Sequence, residues 1–263
     1  MNKLHRISKN GKPILSLEDW KQLGGPKDPI KQWKAGRSAM EAARAWLGTE
    51  PHSDSMPSEI LRCFHSHQDF TQIIKWEAEP EVRLHFDHYR GEPRNTDLAV
   101  IAKDETGDFF IGVEAKADEP FDKTVVKAHK AAIKARETNI RSKAAARIEE
   151  LCQKILGRGT QECSDIYYQL LTATAGVIAE TKQRKLKRGI LIIHEFVTDK
   201  TDDKRHDENS RALNQFVNCL TGGYSSVADG ELIGPIYFDS FKYREQDCSD
   251  VALYIGKARR YLR

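Results

Sequence analysis

The chain has 263 residues, of which 39% are hydrophobic and 31% charged, and its formal net charge is +3. That is apolar content for one large core or at most two small ones. No apolar run approaches a membrane span and the N-terminus lacks the apolar core of a signal peptide, so a soluble, cytoplasmic protein is expected. The five cysteines (Cys63, Cys152, Cys163, Cys219, Cys248) are scattered and form no C-x-x-C, which argues for reduced thiols and against a disulfide framework or a zinc ribbon.

Residues 1–35 read as a polar arm rich in Gly, Pro and Lys, with Trp20 and Trp33 placed to pin it to the core. A helix is predicted over 37–47, where Ser38 and Glu41 have capping-box spacing and Gly48 stops the run. A second helix is predicted from Ser58 to His65, behind Pro57. The alternation of Cys63, His65 and His67 has no second ligand pair, so it is not read as a zinc site. Periodicity does not decide 69–77. Residues 81–87 alternate polar and apolar, as a half-buried strand does, with His85 and Asp87 on one face. The loop 90–95 follows, with Arg90 and Arg94 placed to hold a phosphate.

The most informative stretch is 96–116. Two apolar runs of strand length, 97–103 and 109–116, flank a polar turn containing Gly107, the pattern of a β-hairpin. Side chains alternate along a strand, so Glu114 and Lys116 share a face and Asp97 comes beside Glu114 from the first strand. Two nearby carboxylates repel unless a cation lies between them. Hard oxygen ligands with water positions left open suit Mg²⁺, with Mn²⁺ as an alternative. The pattern therefore points to metal-assisted phosphodiester hydrolysis, with Lys116 serving the attacking water or the developing charge.

Pro120 ends the second strand, with Asp118 and Glu119 in the turn. Residues 122–157 read as a basic helical region, in which Lys123, Lys127, Lys130 and Lys134 form one stripe. Such a stripe either tracks a nucleic-acid backbone or is a solvated face; nucleic acid, DNA first, is the partner favoured, with Arg94 as a further contact. An amphipathic helix is predicted over 164–180, and the basic run 182–188 complements its C-terminal dipole. The apolar run 189–197 reads as a central strand buried on both faces. A charged loop (198–208), a helix (210–220) and two late strands (233–238 and 251–255) complete the chain.

The residues Asp97 and Glu114-Ala115-Lys116 resemble the PD-(D/E)XK nuclease superfamily. The resemblance covers about residues 81–197, with Thr96 standing where that family often has proline. It implies a single α/β domain of restriction-endonuclease-like type: an αβββαβ core, a mixed central sheet flanked by helices, and here a basic helical insertion at 122–157. It implies further that Asp97, Glu114 and the Ala115 carbonyl bind the metal and that Lys116 is catalytic. A preceding helix is expected to add an acid, either Glu41, whose other reading is the capping box, or Glu59. The following helix is expected to support the site through Gln169. The implied activity is Mg²⁺-dependent hydrolysis of DNA, with bacterial restriction or defence as a role by analogy. The alternative is a binding or interaction module on the same fold without catalysis. Monomer and homodimer both stay open.

Overall fold

The computed structural model describes residues 6–48, 55–223, 225–239 and 241–262. A short hairpin, β1 (Ser8–Lys9) and β2 (Lys12–Pro13), opens the chain and is followed by α1 (Leu17–Gly24), α2 (Pro29–Gln32), α3 (Ser38–Leu47) and α4 (Ser58–His65). Then come β3 (Lys75–Leu84), β4 (Arg94–Asp104) and β5 (Gly107–Lys116). Two helices, α5 (Val125–Thr138) and α6 (Ala144–Leu151), precede a π-helical turn at Cys152–Leu156. The remaining elements are α7 (Tyr168–Gln183), β6 (Arg188–Val197), α8 (Asp203–Leu220), β7 (Glu231–Ile236), β8 (Lys242–Tyr243), β9 (Gln246–Asp247) and β10 (Ala252–Tyr261).

Six strands form one mixed sheet in the order β3-β4-β5-β6-β10-β7. The meander β3-β4-β5 is antiparallel, β5-β6 and β6-β10 are parallel, and β7 returns antiparallel on the far edge. Each parallel pair needs a crossover. The 122–183 helical region supplies the first, and the segment carrying α8 and β7 supplies the second. On one face the core joins Phe110, Leu191 and Leu253 to Leu171 and Ile178 of α7 and Phe216 of α8. On the other it joins Leu98, Ile111 and Ile192 to Trp20, Trp46, Ile60 and Phe64 of the N-terminal helices. The result is an α/β protein with helices on both faces of a mixed sheet. No described helix is long and apolar enough to cross a membrane.

Two glycines let α7 lie close to the sheet. A Cβ on Gly112 of β5 would stand 2.7 Å from Val177 Cγ2, and one on Gly189 of β6 would stand 2.5 Å from Thr181 Oγ1. Both fall inside van der Waals contact, so the helix seats against the backbone of its two central strands.

Several expected boundaries move. The first strand of the meander runs from Lys75 to Leu84, not 81–87; residues 85–87 continue past it, and Asp87 turns to Arg147 at 2.5 Å. The capping box at Ser38 is replaced: Arg37 is the N-cap, the Ser38 hydroxyl goes to Glu119, and Glu41 accepts the Gly36 N–H at 2.7 Å. The helix expected from 164 starts at Tyr168, because residues 166–168 first bond back to 123–125. The loop placed at 198–208 is largely helix: Asp202 caps the Lys204 N–H, and His206 and Asn209 are buried on that first stretch.

Candidate active site

The site lies where β4 and β5 part. Their ladder is paired from the turn as far as Leu98 opposite Val113. Beyond it, side chains take over the backbone groups. Asp97 Oδ2 accepts the Ala115 N–H at 2.7 Å, and the Thr96 hydroxyl donates to the Val113 carbonyl at 3.1 Å. The first gives a partner to the Ala115 N–H, which lies past the end of the ladder. It also fixes the Asp97 carboxylate against the backbone one residue from Glu114.

Glu114 is the hub, at 3% exposure. Its Oε1 accepts Lys116 Nζ at 2.9 Å and Gln169 Nε2 at 2.5 Å, and its Oε2 accepts Arg94 Nη2. Gln169 sits in the first turn of α7, so the helix N-terminus also faces a carboxylate, the favourable sense of its dipole. The glycine contacts that seat α7 on the sheet thereby position the glutamine. Burial pushes the Lys116 ammonium down from its ordinary value, while Asp97 and Glu119 pull it back. The ammonium also stands 5.3 Å over the Phe121 ring.

A further acid enters from β3. Glu81 falls opposite Asp97, between the pairs Pro80–Leu98 and Val82–Thr96. Its φ of 51° lies in the left-handed region, which costs a residue bearing a Cβ about 1 kcal/mol or more. Lys9 Nζ donates to the Pro80 and Glu81 carbonyls at 2.8 and 2.9 Å and so holds the irregular strand. Burial and then the charge of Asp97 push the Glu81 carboxyl up to about 7, against the Asn95 amide and the nearby Lys9 and Arg94 cations. Glu81 was not among the expected site residues. The one signal for it was Pro80 within a strand pattern, which marks an edge strand or a bulge.

Of the expected residues, the structure brings together Asp97, Glu114, Lys116, Gln169 and Arg94. It does not bring Glu41 to them. Glu41 is buried on α3 and takes Gly36 N–H and, at 2.8 Å, Arg44. Its rival Glu59 packs on the opposite face of the sheet with His194 at 2.9 Å and Arg260 at 2.6 Å. Lys123, Lys127, Lys130 and Lys134 are all exposed and make no ion pair among the described residues. The basic run at the end of α7 is spent on internal pairs: Lys182 and Lys187 on Asp250, Arg188 on Asp104.

Two clefts flank the acid pair, and Asn95 lines both. One, of about 230 Å³, is walled by Arg94, Asp122, Arg147, Tyr168 and Gln169. The other, of about 410 Å³, is walled by Glu81, Asp97, Glu119 and, from the N-terminal side, Lys27, Lys31 and the α3 cap Arg37. Burial raises the Glu119 carboxyl. Lys27 and Lys31 of the polar arm, with Arg37 just beyond it, thus rim a cleft that opens on Asp97.

Among the described residues no group of three or more His, Cys, Asp and Glu side chains is arranged to hold a metal ion. The carboxylates nearest one another here are Asp97 and Glu114 on neighbouring strands, with Glu81 opposite Asp97; a hard cation such as Mg²⁺ usually keeps several waters and takes only one or two carboxylates. The buried Oε1 of Gln169 and Nε of Arg94 have no protein partner. The site thus holds polar atoms that protein groups leave unsatisfied.

Residues 13–261 match the family described as a domain of unknown function, DUF6946. No curated protein and no solved structure matches the chain.

Proposed function

The chain belongs to the DUF6946 family, and from the geometry of its site we propose that it is a metal-dependent nuclease of the PD-(D/E)XK kind, acting on the phosphodiester bonds of DNA. One observation carries this reading: Lys116 and Gln169 both donate to Oε1 of Glu114, and Asp97 on the neighbouring strand accepts the N–H of Ala115, the residue between Glu114 and Lys116. The order α4-β3-β4-β5-α7-β6 supports it, since an αβββαβ core is what the resemblance implies.

Asp97 and Glu114 would hold Mg²⁺, which supplies, when bound, polarisation of the phosphoryl oxygen and acidification of a water. The chain's own groups do the rest. Gln169 and Lys116 fix the Glu114 carboxylate in one orientation. The Lys116 ammonium lies on the reacting face, where it can orient a water or meet developing negative charge. Arg94 places a guanidinium against the same carboxylate, suited to a phosphate oxygen.

The test is a cleavage assay on plasmid, linear and single-stranded DNA, with and without Mg²⁺ or Mn²⁺. Metal-dependent cleavage that disappears in Asp97→Ala and Lys116→Ala, with DNA binding retained, supports the enzyme. DNA binding without cleavage of any substrate would favour a binding module on the same fold.

A further inference from the structure

A third cleft, of about 720 Å³, lies between the loop 88–91 and the α5–α6 turn, and Arg147 is common to it and to the cleft that holds Arg94 and Gln169. Its lining includes Arg90, Arg141, Lys143 and Arg147 and no acidic residue. Arg147 is fixed: it binds Asp87 at 2.5 Å and the Glu92 carbonyl at 2.9 Å, and lies 4.7 Å over the Phe86 ring. Gly91 makes room for it, since a Cβ there would stand 2.7 Å from Arg147 Nη1. The other three cations are exposed and make no ion pair among the described residues. His88 and Tyr89, also in the lining, lie ring against ring at 4.3 Å and 30°. Tyr89 is anchored by its hydroxyl, which donates to Glu150 at 2.6 Å.

We propose that this cleft binds a single-stranded nucleic-acid segment, phosphates on Arg90, Arg141 and Lys143 and a base on the His88–Tyr89 pair, and leads it past Arg147 to the acid pair. Cations held in no ion pair attract a phosphate backbone, and an aromatic face accepts any base by stacking. A duplex keeps its bases stacked on each other, so the aromatic pair favours a single strand. The inference rests on the nuclease reading for its direction, towards Asp97 and Glu114, but the binding can be measured apart from cleavage.

Fluorescence anisotropy with a labelled 20-mer of thymidines, in EDTA, is the experiment, with a uridine 20-mer and a 20-base-pair duplex as further arms. Arg90→Gln/Arg141→Gln/Lys143→Gln should weaken binding of the thymidine strand at least tenfold. It should also flatten the slope of log affinity against log salt by about 2, for three phosphate contacts on a single strand. Tyr89→Ala should weaken it about fivefold or more without changing that slope. Lys127→Gln/Lys130→Gln/Lys134→Gln on the exposed stripe of α5, which lines none of the three clefts, should weaken binding less than the cleft variant does. Equal binding by wild type and the cleft variant, loss only in the α5 variant, tighter binding of the duplex than of either strand, or no binding at all would each overturn the proposal. Cleavage by the same proteins is scored separately. A chain that binds the strand through this cleft and never cuts it refutes the nuclease reading alone.

Discussion

Removing the charge of Glu114 should unbalance the site in a way that can be calculated. The carboxylate is buried and takes Arg94, Lys116 and Gln169 at once. Glu114→Gln keeps the shape and one acceptor oxygen but leaves two buried cations facing a neutral amide. Breaking a buried pair from one side costs about 3–5 kcal/mol, because the partner stays desolvated without its counter-charge. For a chain of this size that is a fall in Tm of roughly 6–20 °C, at about 2–4 °C per kcal/mol. The second substitution is the informative one. Lys116→Met on the Glu114→Gln background removes one of the stranded cations and keeps the aliphatic volume against Phe121, so it should recover about 1 kcal/mol or more. In wild type the same Lys116→Met should not stabilise by that amount, since there it breaks the pair. Urea unfolding of the four proteins closes the cycle. A Tm change under about 2 °C for Glu114→Gln, or a double variant equal to the sum of the singles, would show that the carboxylate is not the buried hub described here.

Three further outcomes follow from other parts of the molecule. Gly112→Ala should cost about 1–3 kcal/mol by urea unfolding, because its Cβ enters the space of Val177, and it should lower activity further by lifting Gln169 from Glu114. Gln169→Ala should reduce the cleavage rate about tenfold or more and leave DNA affinity in EDTA unchanged, since the amide acts through Glu114. At the other end of the sheet, burial alone would raise the Asp104 carboxyl. The two-point Arg188 contact, the Thr106 hydroxyl and the Thr71 N–H outweigh it and hold Asp104 well below the usual carboxylate range. Its stabilisation is therefore complete above the unfolded-state value of about 3.9 and fades as pH falls below it. The stability gap between wild type and Asp104→Asn should be widest near pH 7 and narrow below about pH 4.

The parts of the fold that could be read in advance are those with strong local periodicity. The hairpin 97–116, the helix Ser58–His65 and the buried strand 189–197 needed only alternation, a proline before the helix and an unbroken apolar run. The acid pair could be read for the same reason, because strand alternation decides which side chains share a face. What escaped depends on tertiary contact. The start of α8 carries charge on nearly every residue, and only Asp202 at its cap and the burial of His206 and Asn209 make it helix. Glu81 reaches the site through a left-handed residue held by Lys9, more than 70 positions away, and no pattern within β3 encodes that. Glu41 had the right position and the wrong direction. Its carboxylate closes the turn at Gly36, a choice set by the N-cap moving to Arg37.

The central claim is that Asp97 and Glu114 hold one divalent cation between them. Manganese binding followed by electron paramagnetic resonance, on wild type, Asp97→Asn and Glu114→Gln, tests it most directly. Wild type should take up Mn²⁺ in competition with Mg²⁺, and each variant should weaken that uptake by about tenfold or more. Equal uptake by all three proteins, or none by wild type, would contradict it.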